Sequence, residues 1–180
     1  MPWRKRANGS SVVRSAASVS AVVRATPVCD GATAAFIQAY ADFLERHVEG
    51  WTVTTEGALL PGVSRHYIRI HPVDPRDAEP NEDPDAGVLA VRNRPPGATV
   101  AFPAKDIVDA GFLDLVRYGI RAPDDALIID SLRVIDAVLR VDTPLGPCWH
   151  RYNNDGYGER QDGAPFSGFG KGRAWPLLTA

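Results

Sequence analysis

Aromatic rings, amide side chains and charged groups are concentrated in the segment 149–178, which begins at Trp149 and contains Arg151 and Trp175. Many glycines separate them, and glycine weakens both helices and strands while allowing the backbone to approach a ligand closely. The composition therefore predicts a long functional loop on a rigid scaffold. Sugars suit such a loop, because their C–H faces stack on rings and their hydroxyls pair with guanidinium and carboxylate groups. The alternative is a surface loop whose rings fill the domain's own core.

The order of residues in this loop is similar to that of a known enzyme family. The runs TPLGPCWHRYNNDGYGERQDG from Thr143 and GKGRAWPLLT from Gly170 resemble the bacterial glucoamylases and glucodextranases of glycoside hydrolase family 15. Three upstream runs fit the same family in the same order: VEGWTVTTEGAL from Val48, VDAGFLDLVRYGI from Val108 and DSLRVIDAVLRVDTP from Asp130. The resemblance covers residues 32–179, which is most of the chain.

The resemblance implies a mainly α-helical fold, part of an (α/α)6 barrel or six-hairpin toroid, with a small β-containing excursion and long loops. It also implies an exo-acting glycosidase of carbohydrate metabolism that releases glucose from α-glucans with inversion at the anomeric carbon. Inversion needs an acid and a base, two carboxyl groups roughly 6.5–9.5 Å apart. No cofactor is implied, and the linkage (α-1,4, α-1,6 or trehalose) is left open.

The resemblance places neither catalytic glutamate in this chain. In the family, the acid lies in an Arg-Trp-Glu-Glu type segment upstream of the matching runs, and the base lies downstream of the WPLLT run. The first residues, MPWRKRANGSS, contain no Trp-Glu-Glu, and the chain ends at Ala180. We therefore expect an internal fragment of a glycosidase that is inactive in isolation. The alternative is a non-catalytic saccharide-binding or remnant protein from a broken hydrolase gene.

The resemblance assigns substrate binding to two residues in particular. Arg151 occupies the place of the family's substrate-binding arginine, and its planar guanidinium can bind two neighbouring hydroxyls. Trp175 matches a pocket tryptophan whose indole can stack on a glucose face. Their alternative roles are a salt bridge from Arg151 to Asp155 or Glu159, and a core anchor for Trp175. Further substrate-binding candidates, each of which can instead brace the loop, are Tyr152, Asp155 and Tyr157.

Other titratable residues carry weaker signals. The family motif places no acid or base at Glu159 or Asp162, so an ion pair or a solvated group is expected there. His150 has no partnering serine or cysteine nucleophile signature. The histidines 47, 66 and 71 lack the spacing of metal ligands. The acidic stretch 74–85 lacks the glycine and terminal glutamate of a calcium loop, so no metal is predicted.

The length, composition and charge of the chain limit the classes of protein to which it can belong. A length of 180 residues with 44% hydrophobic residues allows one domain with its own core. A net charge of −2 gives no general attraction to nucleic acid or an anionic membrane, so an α-glucan or small glucoside is the expected partner. Cys29 and Cys148 are too few for a disulfide framework. No convincing signal peptide or membrane span is recognised, and localisation stays open.

Periodicity predicts the elements that must position the loop. Apolar spacing predicts helices at 33–48, 105–118 and 125–140, with Asp30 or Thr33 capping the first and Gly50 ending it. A last helix is expected to start near Arg173 or Trp175. Strands are predicted at 51–55, 67–70 and 88–92 from β-branched and aromatic residues. Residues 1–31 read as a poorly specified N-terminal segment, and 32–180 as a partial catalytic domain truncated at both ends.

Overall fold

The computed structural model of the chain describes residues 30–69, 83–91, 94, 96–156 and 172–176. Groups of short antiparallel strands lie before and after a central run of helices, and a long helix begins the described part. In chain order, the described elements are helix α1 (Gly31–Thr52), strands β1 (Val53–Thr54), β2 (His66–Tyr67), β3 (Val88–Ala90) and β4 (Ala101–Pro103), a 3-10 helix (Ala104–Asp106), helices α2 (Leu113–Arg117) and α3 (Ala126–Leu139), and strands β5 (Arg140–Thr143), β6 (Gly146–His150) and β7 (Ala174–Trp175).

The predicted mainly helical fold, a section of an (α/α)6 barrel, is wrong for the described part of the chain. Three α-helices share it with three small antiparallel sheets, ordered β1-β2, β3-β4 and β5-β6-β7. Only two of the helices, α1 and α3, exceed two turns. The interior partner of α3 is not a second helix of a hairpin, because α3 packs on β2, β5 and β6.

The helix predicted over 105–118 is the clearest local reason for that difference. Its first part forms a one-turn 3-10 helix and then extended backbone, and only Leu113–Arg117 is α-helical. The Val108 N–H is used by the Asn153 side chain at 2.9 Å, and Asp109 forms a β-bridge with Tyr152. These long-range partners replace the i to i−4 hydrogen bonds that a helix needs, so tertiary pairing overrides the apolar spacing.

Helix α1 confirms the predicted helix over 33–48 and extends it. The Asp30 carboxylate accepts a hydrogen bond from the Thr33 N–H at 2.8 Å, as an N-cap should. Gly50 does not end the helix, which continues to Thr52. There the β-branched run into Val53 changes to extended backbone and begins β1.

Helix α3 confirms the predicted helix over 125–140 and supplies most of the main core. Asp125 caps it by accepting from the Leu127 N–H at 2.8 Å. The Ser131 hydroxyl donates to the Leu127 carbonyl at 2.6 Å and accepts from the Tyr67 N–H at 2.9 Å, which ties α3 to strand β2. Its buried residues are Leu127, Ile128, Ser131, Val134, Ile135 and Leu139.

A second, smaller core lies beside the first and reaches the loop. Six buried side chains form it: Ile68, Leu89, Val91, Ala104, Ile107 and Tyr152. The predicted strand over 88–92 is confirmed as β3, which pairs with β4 in the register Leu89↔Phe102. Because Tyr152 belongs to this core, packing fixes the position of the first residues of the predicted functional loop.

The predicted loop over 149–178 is partly strand. Strand β6 runs through Trp149 to His150 and pairs with β5 across the turn at Gly146, whose φ of 118° suits glycine. Strand β7, Ala174–Trp175, stands where a helix start was expected, and that expectation is wrong. The third sheet therefore pairs the two ends of the segment 149–178, with β6 at its start and β7 near its end.

Strand β2 contains a fully buried histidine. The His66 Nδ1 lies 3.0 Å from the Tyr67 carbonyl oxygen, so Nδ1 carries the proton and donates. Among the described residues, its Nε2 is a buried polar atom with no hydrogen-bond partner. A Cβ built on Gly57 would lie 2.4 Å from that nitrogen, so residue 57 must lack a side chain. Burial lowers the pKa of the imidazole below its ordinary value. The Tyr67 carbonyl and the carboxylates of Asp106 and Asp85 raise the pKa, but burial is the larger effect.

Helix α1 presents a row of aromatic rings to solvent. Phe36 is 71% exposed and Tyr40 is 55% exposed, and their rings stack with centroids 6.3 Å apart. Near its other end, Arg121 holds the helix by donating to Glu49 at 2.9 Å and to Glu45 at 3.3 Å. Across the described ranges, no helix combines the length and apolar character that crossing a membrane requires.

Candidate functional site

Two tryptophans face each other across β6 and β7. In the antiparallel register Trp149 is directly opposite Trp175, and residues so paired project from the same face of a sheet. The Trp149 indole N–H donates to the Asp136 carboxylate at 2.8 Å, which orients that ring against α3. Trp175 is 43% exposed, so much of its indole faces solvent. The pairing of β6 and β7 thus fixes the exposed ring of Trp175 opposite Trp149, and Trp149 precedes Arg151 by two residues.

Arg151 is held by a buried carboxylate. Its Nε donates to Asp155 Oδ2 at 2.8 Å, and its Nη2 lies 2.7 Å from the same oxygen. The Arg151 side chain is 32% exposed, whereas the Asp155 side chain is only 4% exposed. A buried carboxylate needs compensating hydrogen bonds, so the two residues form a unit. The structure therefore contains the salt bridge to Asp155 that was the alternative role of Arg151, and about a third of the Arg151 side chain remains exposed.

Tyr152 lies beside two guanidinium groups. The Cζ atom of Arg69 is 4.0 Å from the ring centroid, and that of Arg151 is 5.4 Å away. Both distances lie within the range of cation–π attraction. The Tyr152 ring is itself 8% exposed and packs in the second core. Of the two roles expected for Tyr152, the geometry favours a brace under Arg151.

Asn153 and Asn154 shape the backbone between Arg151 and Asp155. The Asn153 amide donates to the Asp106 carbonyl at 2.5 Å and accepts from the Val108 N–H at 2.9 Å. Asn154 has a left-handed φ of 65°, a conformation that asparagine tolerates better than most residues. Its carbonyl accepts from Arg94 at 3.2 Å. The Asn-Asn pair is a turn signal that the sequence interpretation did not use.

A backbone hydrogen bond closes the base of the loop. The Gly172 N–H donates to the Asp155 carbonyl oxygen. Together with the pairing of β6 and β7, this bond brings the residues before and after 157–171 next to each other. Asp155 therefore has two roles, a side chain that holds Arg151 and a backbone that anchors the returning chain.

An open cavity of about 420 Å³ lies next to this unit, a volume within the range of small-molecule sites. It is mainly polar, and its wall includes Arg94, Arg140, His150, Asn153, Asn154 and Asp155. Tyr152 also lines it, but Arg151 and Trp175 do not. The structure thus brings Tyr152 and Asp155 to the cavity wall and places the exposed Trp175 and the Arg151 guanidinium elsewhere.

Asp109 is a second carboxylate near Tyr152, and its side chain is 12% exposed. Its Oδ2 accepts from Arg69 Nη1 at 2.6 Å, and its Oδ1 accepts from the Gly111 N–H at 2.9 Å. Burial raises the pKa of the Asp109 carboxyl above its ordinary value, although the Gly111 N–H and the Arg69 guanidinium favour its charged form. Neither Arg69 nor Asp109 was a predicted site residue, because nothing local marks a pair 40 residues apart.

The other predicted residues are divided by the described ranges. Tyr157, Glu159, Asp162 and Cys29 lie outside them. Cys148 is a free cysteine in β6. Within the part of the chain that the structure describes, no group of three or more His, Cys, Asp or Glu side chains could hold a metal ion.

Comparison with known proteins gives matches to glucoamylases. A glucoamylase from Clostridium sp. (strain G0005) is 43% identical to this chain over 142 residues, which are 79% of this chain and 18% of that protein. The crystal structure of a bacterial glucoamylase complexed with acarbose matches with a TM-score of 0.68 and 37% sequence identity. That match covers 90% of this chain and 23% of the other chain. No protein-family model matches the chain.

The chain therefore spans about a fifth of the length of the relatives that it matches. The resemblance to bacterial glucoamylases is confirmed, because both matches are to glucoamylases. An assignment to glycoside hydrolase family 15 is consistent with both matches.

Proposed function

We propose that this chain is the portion of an exo-acting, inverting glucoamylase-like glycosidase that binds a glucose unit of an α-glucan. The observation that carries the proposal is the Arg151–Asp155 unit, in a segment 43% identical to a glucoamylase. The Asp155 side chain, which is 4% exposed, holds one edge of the guanidinium of Arg151, whose side chain is 32% exposed. Binding therefore does not require the arginine to be ordered again, and preorganisation favours affinity.

Sugar hydroxyls and the arrangement of Arg151 are chemically compatible. A guanidinium has five N–H donors in one plane, and the Nε–Nη2 edge of Arg151 is directed at Asp155. In this proposal the group donates to hydroxyls of one glucose ring. Trp175 supplies an apolar face for a sugar ring, because much of its indole is exposed. Tyr157 is proposed as a further binding residue on the resemblance alone.

The roles of Asp155 and Tyr152 are indirect in this proposal. Asp155 orients the guanidinium by charge and hydrogen bonding, and Tyr152 supports it from the second core. Acid and base catalysis are assigned to glutamates of the glycosidase in segments other than the described site, as the family resemblance implies. The chain's own contribution is recognition of the sugar.

Acarbose is the probe for this proposal, since a structurally similar glucoamylase was crystallised with it. Isothermal titration calorimetry of the purified 180-residue chain should show saturable binding of acarbose. Arg151→Ala should weaken that affinity at least about tenfold, because it removes charge-assisted hydrogen bonds. Trp175→Ala should weaken it less, through loss of stacking alone.

Arg133→Ala is the matched control, because Arg133 forms an exposed ion pair with Asp130 on α3. It should leave acarbose affinity unchanged. Equal affinity of the wild-type chain and the Arg151→Ala variant, with both folded by circular dichroism, would refute the assignment of Arg151.

A further inference from the structure

The Arg69–Asp109 ion pair is fixed from several directions. Arg69 Nη1 lies 2.6 Å from Asp109 Oδ2, and the two side chains are 33% and 12% exposed. The Arg69 N–H donates to the Ile107 carbonyl at 2.8 Å, so the backbones are tied as well. A charged pair with this many constraints is more rigid than an ordinary surface pair.

The same pair meets the proposed sugar-binding unit at one ring. The backbone of Asp109 forms a β-bridge with Tyr152, and the Arg69 guanidinium carbon lies 4.0 Å from the Tyr152 ring centroid. Arg151 approaches that ring to 5.4 Å. The arrangement consists of two arginines at one aromatic ring, one paired with the buried Asp155 and the other with the largely buried Asp109.

We infer that Arg69 and Asp109 are positioning residues that set the orientation of Arg151 through the ring of Tyr152. This inference rests on the proposed role of Arg151 in saccharide binding. Arg69 is the closer cation and fixes the position of the ring, while Asp109 fixes Arg69. The ring in turn supports one side of the Arg151 guanidinium, whose Nε–Nη2 edge is held by Asp155.

Charge explains why the arrangement needs both carboxylates. Two guanidinium groups within about 6 Å of one ring centroid repel each other unless counter-charges are close. Asp109 and Asp155 each lie within 3 Å of one arginine, so the set of four charged groups is neutral. Removing one carboxylate leaves an excess positive charge, which should displace Arg151 from the ring.

The direct test is the Arg151 Nε–H resonance in ¹⁵N NMR spectra of the full 180-residue chain. This proton donates to Asp155 and should exchange slowly with water in the wild-type protein. Arg69→Gln should speed its exchange about three- to tenfold, the range expected for losing a cation–π support. Arg69→Lys keeps a cation and should restore most of the protection. Unchanged Arg151 exchange in a folded Arg69→Gln variant would overturn the inference.

Asp109→Asn is the milder second variant, because the amide oxygen can still accept from the Gly111 N–H. It should raise the Arg151 exchange rate in the same direction, and Arg133→Gln, on the exposed face of α3, should not. The exchange readout needs no sugar, so absent acarbose binding would refute the proposed function without affecting this test. Where acarbose binds, Arg69→Gln should weaken it about three- to tenfold, and Arg69→Gln combined with Arg151→Ala should add nothing to Arg151→Ala alone.

Discussion

Helices α1 and α3 have the same kind of amphipathic sequence but different surroundings. The 22 residues of α1 include one buried residue, Thr52, whereas the 14 residues of α3 include six. Helix α3 packs on three strands, whereas the aromatic rings of α1 stack on one another and are exposed among the described residues. Spacing identifies the apolar side of a helix, but the partner that covers it is a property of the tertiary fold.

The two helices also differ in how they are attached. Packing attaches α3, through side chains such as Ile128 and Ile135 that are 1% exposed. Polar contacts from Arg121 to Glu45 and Glu49 attach α1. Partly exposed ion pairs contribute little to stability, so α3 should dominate the free energy of unfolding.

The largest contrast is expected for truncation of one apolar side chain on each helix. Ile135→Ala should lower the free energy of unfolding by about 2–5 kcal/mol, because it leaves a cavity in the main core. Phe36→Ala on α1 should change it by less than about 0.5 kcal/mol, because the ring is 71% exposed. Equilibrium urea unfolding measures both. A Phe36→Ala cost close to that of Ile135→Ala would show that the α1 face is covered in solution.

A smaller contrast is expected between a glycine-to-alanine change beside the buried strand β2 and the same change in the exposed helix α1. Gly57→Ala should destabilise by about 1–3 kcal/mol, because the new methyl group would overlap the buried His66 ring behind strand β2. Gly50→Ala, within α1, meets no atom within 4 Å and should stabilise by about 0.5–1 kcal/mol through helix propensity. Thermal and urea unfolding of the two variants should therefore shift in opposite directions. Shifts in the same direction would contradict the difference in packing.

The smallest expected effect is a pH dependence that comes from the buried histidine in strand β2. The folded pKa of His66 is lowered, so below about pH 6.5 the unfolded chain binds more protons than the folded chain. Stability should therefore fall as pH decreases from about 7.5 to 5.5, by at most about 1.4 kcal/mol per pH unit. His66→Gln should flatten this slope, and Phe36→Ala, a change on α1 that removes no titratable group, should preserve it. A slope unaffected by His66→Gln would assign the pH dependence to other groups.

The sequence predicted elements whose hydrogen bonds are local. Helices α1 and α3 follow from apolar spacing, and the cap Asp30 follows from its side-chain oxygen just before the first turn, whereas Asp125 was not predicted as the cap of α3. The barrel expectation failed because it transferred the fold class of a whole domain to a segment about a fifth as long as its relatives. Within that segment, the contacts of α3 are with strands.

Long-range pairing explains the remaining differences. Val108 and Asp109 bond to Asn153 and Tyr152, and no local pattern signals those partners. No local pattern signals the pairing of Trp149 with Trp175 either, and this pairing makes the two ends of the predicted loop into strands. In the candidate site, Arg151 and Asp155 were recognised four residues apart, whereas Arg69 and Asp109 became visible only when the fold brought them to Tyr152.

The hydrogen bond from Gly172 to Asp155 has a consequence for how this protein can diversify. It fixes the separation of the two points between which residues 157–171 run, and the β6–β7 ladder fixes the strands beyond them. The positions of Arg151 and Trp175 are set by contacts on either side of residues 157–171, so a change in the length or sequence of that segment should leave both side chains in place. For a flexible insertion, each doubling of length adds only about 0.6 kcal/mol to the entropic cost of closing the chain.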